Sequence, residues 1–158
     1  MPPPWWRRAY LAVLRLHDTV YRRTNGRIGH RIPGLPPNLL LHTVGAKTGL
    51  PRSTSLMYAR DGGAYLVVAS RGGHPRAPGW YHNLRAHPDA EINVGTMRLA
   101  VKAEPVQPGD VDYARLWQIA DRNGRGRLKT RQSRTSRPFP IVVLTPQNSS
   151  LASNSSVT

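Results

Sequence analysis

The spacing of apolar residues along the chain changes near residue 39. Before that point, over residues 5–24, apolar side chains recur every three or four positions, which predicts an amphipathic helix with arginines on its other side. After it, six short aliphatic runs predict β-strands at 39–44, 53–59, 64–70, 90–94, 97–104 and 139–145. In the fifth run larger apolar residues alternate with charged or small ones, the period of a strand with one buried face.

Turn signals between these runs predict antiparallel pairing. Asp61-Gly62 and Gly95-Thr96 each join two runs as a tight hairpin turn. Two short helices interrupt the strands, one over residues 79–86 and one that begins with Asp110 as its N-cap residue. Because the strands follow one another in hairpins with few helices between them, we predict a β-rich α+β fold, a small barrel of about six antiparallel strands.

The same patterns divide the 158 residues into three segments. Residues 1–38 contain the basic amphipathic helix and a linker rich in Pro and Gly, and residues 39–146 contain the barrel domain. Residues 147–158 are almost all small or polar, so we predict a disordered tail.

Composition excludes several classes of protein. The chain has no Cys, which excludes disulfide scaffolds, thiolate metal sites and cysteine nucleophiles. Its histidines are not spaced as metal ligands, so we predict no metal. No apolar stretch is long enough for a signal peptide or a membrane span, so we expect a cytoplasmic protein.

The charge of the chain indicates an anionic partner. Lys and Arg number 23 against 8 acidic residues, a net charge of +15. Nucleic acid, an acidic membrane surface and a phosphorylated or carboxylated cofactor all fit this charge. The helix over 5–24 is compatible with contact with the inner face of the membrane, although packing on its own domain explains the same apolar stripe.

A loop between the first two predicted strands is a candidate anion site. Gly45 and Gly49 allow the backbone to turn tightly, and Lys47 and Arg52 are spaced to close on one anion. The loop lacks the adjacent Gly-Lys and the following helix of a nucleotide-binding P-loop. By itself it also fits an ordinary polar hairpin loop.

Three motifs, in order along the chain, resemble one known family. They are Thr43-Val44-Gly45-x-Lys47-Thr48-Gly49-x-Pro51-Arg52, Val68-Ala69-Ser70-Arg71-Gly72-Gly73 and Trp80-Tyr81-x-Asn83-Leu84-x-Ala86-x-Pro88. With the closing Pro140-Ile141-Val142-Val143-Leu144, they make residues 39–146 similar to the deazaflavin-dependent nitroreductases of actinobacteria. The resemblance implies a split β-barrel and the coenzyme F-420, a deazaflavin whose tail carries a phosphate and several glutamates.

The resemblance also implies which residues bind this coenzyme. In the loop, Lys47 and Arg52 hold the phosphate and carboxylates, together with Ala46 and Thr48. Two strands and one helix line the deazaflavin; their implied cofactor-binding residues are Ser53, Thr54, Ser55, Leu56, Met57, Val68, Ala69, Ser70, Arg71, Gly79, Trp80, Tyr81, His82 and Asn83. For Trp80 and Tyr81, packing in the barrel core is the alternative.

The implied reaction is transfer of a hydride from the reduced deazaflavin to a small acceptor such as a quinone, an enone or a nitroaromatic. Ser70 is the candidate catalytic residue, a hydroxyl that orients the acceptor or donates a proton; a serine bonded to the backbone at a strand end is the alternative. Leu128 and Arg131 stand where the best-studied branch has tyrosines against the acceptor, so reduction of nitro compounds is not transferred to this chain. We expect the basic, glycine-interrupted segment 123–137 to be a poorly ordered lid over the acceptor.

Two other classes of protein stay open. A basic RNA-binding protein fits the charge, although the chain has no recognised RNA motif, and we expect no specific nucleic-acid partner. A split barrel that binds flavin mononucleotide or a lipid fits the same fold. We expect a monomer or a homodimer.

Overall fold

A computed structural model describes residues 37–147 together with Thr19 and Arg23. The strands of this part form one antiparallel sheet in the order β2-β1-β5-β6-β7-β4-β3. Their bounds are β1 Asn38–Val44, β2 Pro51–Met57, β3 Ala59–Asp61, β4 Ala64–Val68, β5 Asp89–Val94, β6 Met97–Val106 and β7 Ile141–Pro146.

The sheet curls because its two edges are consecutive in the chain. β2 lies at one edge and β3 at the other, and only Tyr58 separates them. Neighbouring Cα atoms are about 3.8 Å apart, so the two edges must meet at this residue. The curled sheet confirms the predicted split β-barrel. The single predicted strand 53–59 is wrong, because the chain bends at Tyr58, whose N–H donates to the carbonyl of Pro37 over 3.3 Å.

Both predicted hairpins are present. Asp61 pairs with Ala64 across the first turn, and Val94 pairs with Met97 across the second. Both turns use a glycine with positive φ, which is the backbone conformation that tight hairpin turns require. The register places alternate residues of each strand inside the barrel, as the period of the fifth predicted strand indicates.

The core has two parts. Inside the barrel, aliphatic and aromatic side chains from the strands pack against α1 (Gly79–Ala86), with Leu39, Leu41, Val67, Ile92, Val142 and Leu144 almost fully buried. On the outer face of β4 and β7, Leu66 and Ile141 pack against Leu116 of α2 (Tyr113–Asn123). These two strands are therefore buried on both faces, which explains their nearly continuous aliphatic sequences.

The helices differ in how well the sequence predicts them. The predicted helix over 79–86 is confirmed as α1. The N-cap prediction for Asp110 is wrong, because its carboxylate accepts the Gln107 N–H over 2.7 Å in the turn before the helix, and α2 begins at Tyr113. The segment 123–137, expected to be poorly ordered, contains a third helix, α3 (Arg127–Gln132). Leu128 of α3 is buried.

Two predicted segments lie outside the described residues. They are most of the N-terminal helix and linker and the tail after residue 147, although Thr19 and Arg23 are helical. Among the described residues, no helix has the length and apolar character to cross a membrane.

Candidate functional site

Two cavities on the barrel surface meet at Thr54 of β2 and Trp80 of α1. The first, which we call the loop cavity, has a volume of about 640 Å³ and is lined by Gly45, Ala46, Lys47, Thr48, Arg52, Ser53, Thr54, Gly79, Trp80, His82 and Asn83. The second, the barrel cavity, has a volume of about 430 Å³ and is lined by Asn38, Thr54, Ser55, Leu56, Met57, Tyr58, Ala59, Leu66, Val68, Ser70, Arg71, Gly72, Pro78, Trp80, Ala120, Asn123, Gly124, Arg127, Leu128 and Arg131.

Two backbone hydrogen bonds close the loop that lines the loop cavity. The N–H of Gly45 donates to the carbonyl of Leu50 over 2.8 Å, and the N–H of Gly49 donates back to the carbonyl of Gly45 over 2.9 Å. Gly49 has φ +67°, a conformation that favours glycine. A Cβ at Gly45 would lie 2.5 Å from Thr48 Oγ1, so a side chain there would displace Thr48. The shape of the loop therefore favours glycine at both positions.

Asn83 of α1 fastens this loop to the barrel. Its Oδ1 accepts the N–H of Ala46 over 2.9 Å, and its Nδ2 donates to Thr43 Oγ1 over 3.2 Å. The loop therefore presents Lys47 and Arg52, both exposed, from a braced backbone. Among the residues that the structure describes, no carboxylate lines this cavity, and Lys47 and Arg52 offer their charges to an anionic ligand.

A chain of side-chain hydrogen bonds supports the β2 wall of the loop cavity. Ser53 Oγ lies 2.8 Å from His42 Nδ1, and His42 Nε2 lies 2.6 Å from Oδ1 of the buried Asn93. The three residues come from β2, β1 and β5, so the bonds fix the Ser53 hydroxyl in position across the sheet. The sequence motifs include neither His42 nor Asn93 among the site residues, because their role depends on pairing between strands.

The turn after β4 offers donors to the barrel cavity. Ser70 is in a right-handed helical conformation, and Arg71 and Gly72 follow with φ +44° and +63°. This alternation makes a concave backbone surface that suits anions and carbonyl oxygens. Within the described part of the chain, the N–H groups of Arg71 and Gly72 and the hydroxyl of Ser70 have no hydrogen-bond partner. The backbone-bonded alternative for Ser70 therefore finds no support in this part of the chain.

Arg137 holds that turn in place. Its guanidinium donates to the carbonyls of Ala69 and Ser70 over 3.0 Å each and to the carbonyl of His74 over 3.1 Å, and it lies 5.0 Å from the ring centre of Phe139. Burial, and then the positive charge of Arg71, lower the pKa of Arg137. An arginine nevertheless stays charged at neutral pH. Arg137 is thus a structural residue of the site, which the sequence motifs did not include.

The far wall of the barrel cavity comes from α2 and α3. Asn123, at the end of α2, donates from Nδ2 to the carbonyl of Tyr58 over 2.8 Å and so joins this wall to the bend between β2 and β3. Beyond it, Arg127, Leu128 and Arg131 line the cavity from α3. The Lys129 N–H donates to Asp121 Oδ1 over 3.4 Å, which supports the first turn of α3. The sequence motifs missed Asn123 and Arg127, which no local pattern distinguishes from surface residues.

Most of the sequence-predicted site residues lie at the two cavities. Those at the loop cavity are Ala46, Lys47, Thr48, Arg52, Ser53, Thr54, Gly79, Trp80, His82 and Asn83. Those at the barrel cavity are Thr54, Ser55, Leu56, Met57, Val68, Ser70, Arg71, Trp80, Leu128 and Arg131.

Two predicted residues line neither cavity. Ala69 is fully buried, and its N–H donates to the carbonyl of Pro140. Tyr81 packs in the barrel core, where its hydroxyl accepts a hydrogen bond from Gln107 Nε2 over 2.7 Å. Tyr81 thus lies where core packing, the alternative to a cofactor-binding role, would put it.

A curled antiparallel barrel with two adjoining cavities, one at a braced loop that carries Lys47 and Arg52 and one that combines apolar side chains with arginines, defines the class of split-barrel proteins. More specifically, the chain belongs to the F420H(2)-dependent quinone reductase family, whose sequence profile matches residues 13–146. The match begins inside the N-terminal segment, earlier than the resemblance over 39–146.

Relatives of known name and structure agree with this membership. The chain is 71% identical over 133 residues to an F420H(2)-dependent quinone reductase of Mycobacterium tuberculosis, with 84% of this chain and 89% of the relative covered. It is similar to a solved F420-H2 dependent reductase (FDR-A), with 30% identity, a TM-score of 0.61, and 68% of this chain and 93% of that one covered. A further similar chain, solved as a domain-swapped dimer, has 26% identity and a TM-score of 0.62 over 91% of this chain and 99% of that one.

Proposed function

We propose that this protein is an oxidoreductase that transfers a hydride from reduced coenzyme F-420 to a quinone, with enones and nitroaromatics as further candidate acceptors. The observation that carries the proposal is the pair of joined cavities, one with Lys47 and Arg52 at an open loop and one where Leu56, Met57, Val68 and Trp80 offer apolar surface. A long cofactor with an anionic tail and a flat ring requires such a combination. The names of the relatives support the same coenzyme and acceptor class.

The residues of the loop cavity fit the tail of this coenzyme. Lys47 and Arg52 line this cavity with no carboxylate from residues 37–147 beside them, and Asn83 braces the loop that carries Lys47. Charge-assisted hydrogen bonds to phosphate and carboxylate oxygens are about twice as strong as neutral ones. We therefore assign the phosphate and glutamates of the coenzyme to this cavity.

The residues of the barrel cavity fit a flat ring. Leu56, Met57 and Val68 offer apolar surface from β2 and β4, and Trp80 from α1 lies where the two cavities join. The N–H groups of Arg71 and Gly72, which have no acceptor among the described residues, suit the carbonyl oxygens at the polar edge of a deazaflavin. The bound coenzyme supplies the hydride; the chain supplies position, exclusion of water and a polar group at the acceptor.

Ser70 is the candidate for that polar group. It is largely buried, lines the barrel cavity, and its hydroxyl has no hydrogen-bond partner in the described part of the chain. A hydroxyl in this state can donate to the acceptor oxygen and orient it. Leu128, which lines the same cavity from α3, offers apolar surface to the acceptor.

Two further proposals concern assembly and location. The relative solved as a domain-swapped dimer favours a homodimer, which sedimentation velocity tests directly. We propose that the protein is cytoplasmic and that residues 5–24 make peripheral contact with anionic membranes. Equal liposome binding by the full chain and by a variant without residues 1–30 would contradict that contact.

The test is a fluorescence titration of the purified protein with oxidised coenzyme F-420, with flavin mononucleotide in parallel. We expect wild type to bind the deazaflavin, and Lys47→Ala to lose about tenfold or more in affinity, the value of one charged hydrogen bond. Lys102→Ala is the matched control, because Lys102 is an exposed lysine of β6 that lines neither cavity. Equal affinity of the wild type and Lys47→Ala, or a preference for flavin mononucleotide, would contradict the proposal.

A further inference from the structure

The outer face of the sheet buries a leucine that belongs to no described core cluster. Leu39 and Leu41 of β1 pack inside the barrel, so Leu40 between them faces outward. Leu40 is nevertheless only 1% exposed, and it is part of neither cluster of buried side chains among the described residues. Its cross-strand neighbours, Ser55 of β2 and Asn93 of β5, lie beside it and cannot shield it from above. A further layer must therefore cover Leu40.

The covered strip of this face is about as wide as one helix. Asn93, although polar, is 3% exposed, and His42 and Ser53 are half-buried. One strand further, Arg98, which pairs with Asn93, and the nearby Ala100 are both exposed. The cover thus lies over β2, β1 and β5 and ends before β6. Three strands at a spacing of about 4.8 Å extend over about 10 Å, which is the diameter of an α-helix with its side chains.

The segment that precedes β1 offers a helix with a matching side. At about 100° per residue, the predicted helix over 5–24 gathers most of its apolar residues on one side. We call this side the apolar stripe; it comprises Trp6, Tyr10, Val13, Leu14, His17, Val20 and Tyr21. Thr19 and Arg23, which the structure describes as helical and exposed, lie on the opposite side. Exposure of that side is what packing of the stripe on the protein requires.

Length and composition also favour this segment as the cover. Residues 25–37 can span about 40 Å, so the helix can fold back over β1. The other segment outside the described residues, 148–158, consists almost entirely of small and polar residues. It has no apolar stripe with which to cover a leucine.

We propose that the helix over 5–24 packs its apolar stripe on the outer face of β2, β1 and β5, over Leu40 and the hydrogen bond between His42 and Asn93. The proposal concerns the barrel and does not rest on the proposed function. Packing in this way keeps water from the bonds that position Ser53 at the loop cavity. It leaves the arginines of the helix outward, so contact with an anionic membrane is made by charge and not by the stripe.

The first test uses a single thiol, because the chain has no Cys of its own. Leu40→Cys is introduced into the full chain, and its reaction with Ellman's reagent is followed by absorbance. We expect this thiol to react about a hundredfold more slowly than that of Ala100→Cys, at an exposed position of β6. Ile92→Cys, in the barrel core, is the protected reference.

Leu14→Asp then tests whether the apolar stripe is the cover. A carboxylate in the stripe is costly to bury, so we expect the thiol at position 40 to react about tenfold faster or more. The thiol at position 92 should stay protected. Thr19→Asp is the matched control, because it adds the same charge on the exposed side of the helix. It should leave the reaction rate at position 40 unchanged.

A cross-linking measurement needs no charged substitution in the stripe. Leu40→Cys is combined in turn with Tyr10→Cys, Val13→Cys or His17→Cys, and each full-length variant is treated with a short bifunctional methanethiosulfonate. We expect at least one of these pairs to be joined within a single chain, as electrophoresis and peptide mass spectrometry show. The pair of Leu40→Cys with Thr19→Cys should not be joined, because Thr19 lies on the other side of the helix.

Four results would overturn the inference. They are a thiol at position 40 as reactive as one at position 100, protection that survives Leu14→Asp, equal cross-linking from Thr19→Cys, and cross-links found only between two chains. The last result would mean that the helix of a second copy covers this face. If Leu14→Asp also exposes the thiol at position 92, the barrel itself has opened, and the cross-linking decides.

Discussion

The two cavities differ in how the chain builds them. The loop cavity is made by two short segments, residues 45–54 and 79–83, and one amide, that of Asn83, fastens the loop of the first segment to the barrel. The barrel cavity is made by segments far apart in sequence, from β2 to α3, and one guanidinium, that of Arg137, fastens its turn. A local loop thus provides charge for a ligand tail, while long-range packing provides the space where a reaction can occur.

This difference means that each cavity can be damaged separately. A change in the loop should weaken binding of the coenzyme and leave the barrel stable. A change at the turn after β4 should destabilise the fold, because three carbonyls there share one donor group. The predictions below use that separation.

Arg137→Gln should have the largest effect on stability. The carbonyls of Ala69, Ser70 and His74 lose a charged donor, at a cost of about 3 kcal/mol in the free energy of unfolding, or about 10 °C in Tm. Thermal denaturation followed by circular dichroism measures this change. Arg122→Gln, an exposed arginine of α2, should change Tm by no more than a degree or two; an equal drop in both variants would contradict a structural role for Arg137.

Gly45→Ala should damage the loop cavity with a smaller effect on stability. The new Cβ would lie 2.5 Å from Thr48 Oγ1, which must move and give up its bond to the Leu50 N–H. We expect a cost of about 1–2 kcal/mol and about a tenfold loss of coenzyme affinity, both measured on the same sample. Gly63→Ala is the control, because nothing lies within 4 Å of its added Cβ. Unchanged affinity in Gly45→Ala would show that the loop can adapt.

Asn83→Ala tests the bond between α1 and the loop. Loss of its bonds to Ala46 and Thr43 should cost about 1 kcal/mol of stability and several-fold in coenzyme affinity. Binding of 2-methyl-1,4-naphthoquinone in the barrel cavity, measured by quenching of tryptophan fluorescence, should not change. A parallel loss at both cavities would mean that they are not independent.

Tyr113→Phe should have the smallest effect and a defined pH dependence. The Tyr113 hydroxyl donates to the carbonyl of Phe139 over 2.8 Å, and burial raises the pKa of this phenol. Its contribution to stability, about 1 kcal/mol, is present below about pH 10 and is lost as the pH rises through the raised pKa. Urea unfolding at pH 8 and at pH 11 should show the difference between wild type and Tyr113→Phe narrowing at the higher pH. A gap that widens would contradict the direction of the pKa shift.

Local patterns predicted the features that depend on local chemistry. The hairpin at Gly95-Thr96 and the helix over 79–86 could be predicted because their turn residues and apolar spacing lie within short segments of the sequence. The loop around Lys47 could be predicted for the same reason. The motifs that resemble the family then brought Ser70 and Trp80 to the same site.

Features that depend on distant contacts were missed. The bend at Tyr58 is fixed by closure of the sheet and by a bond to Pro37, neither of which leaves a pattern in residues 53–59. The helix α3 follows a glycine and is strongly basic, and it is supported by a carboxylate from α2 rather than by its own cap. Arg137 looks like any surface arginine until the barrel brings three carbonyls to it.

A single-turnover measurement tests hydride transfer most directly. The protein is loaded with reduced coenzyme F-420 and mixed rapidly with 2-methyl-1,4-naphthoquinone, while absorbance follows the return of the oxidised coenzyme. We expect oxidation of one coenzyme per quinone at a rate that saturates with quinone concentration, and much slower oxidation without protein. Bound reduced coenzyme that stays reduced with this quinone, and with an enone and a nitroaromatic in its place, would contradict the proposed function.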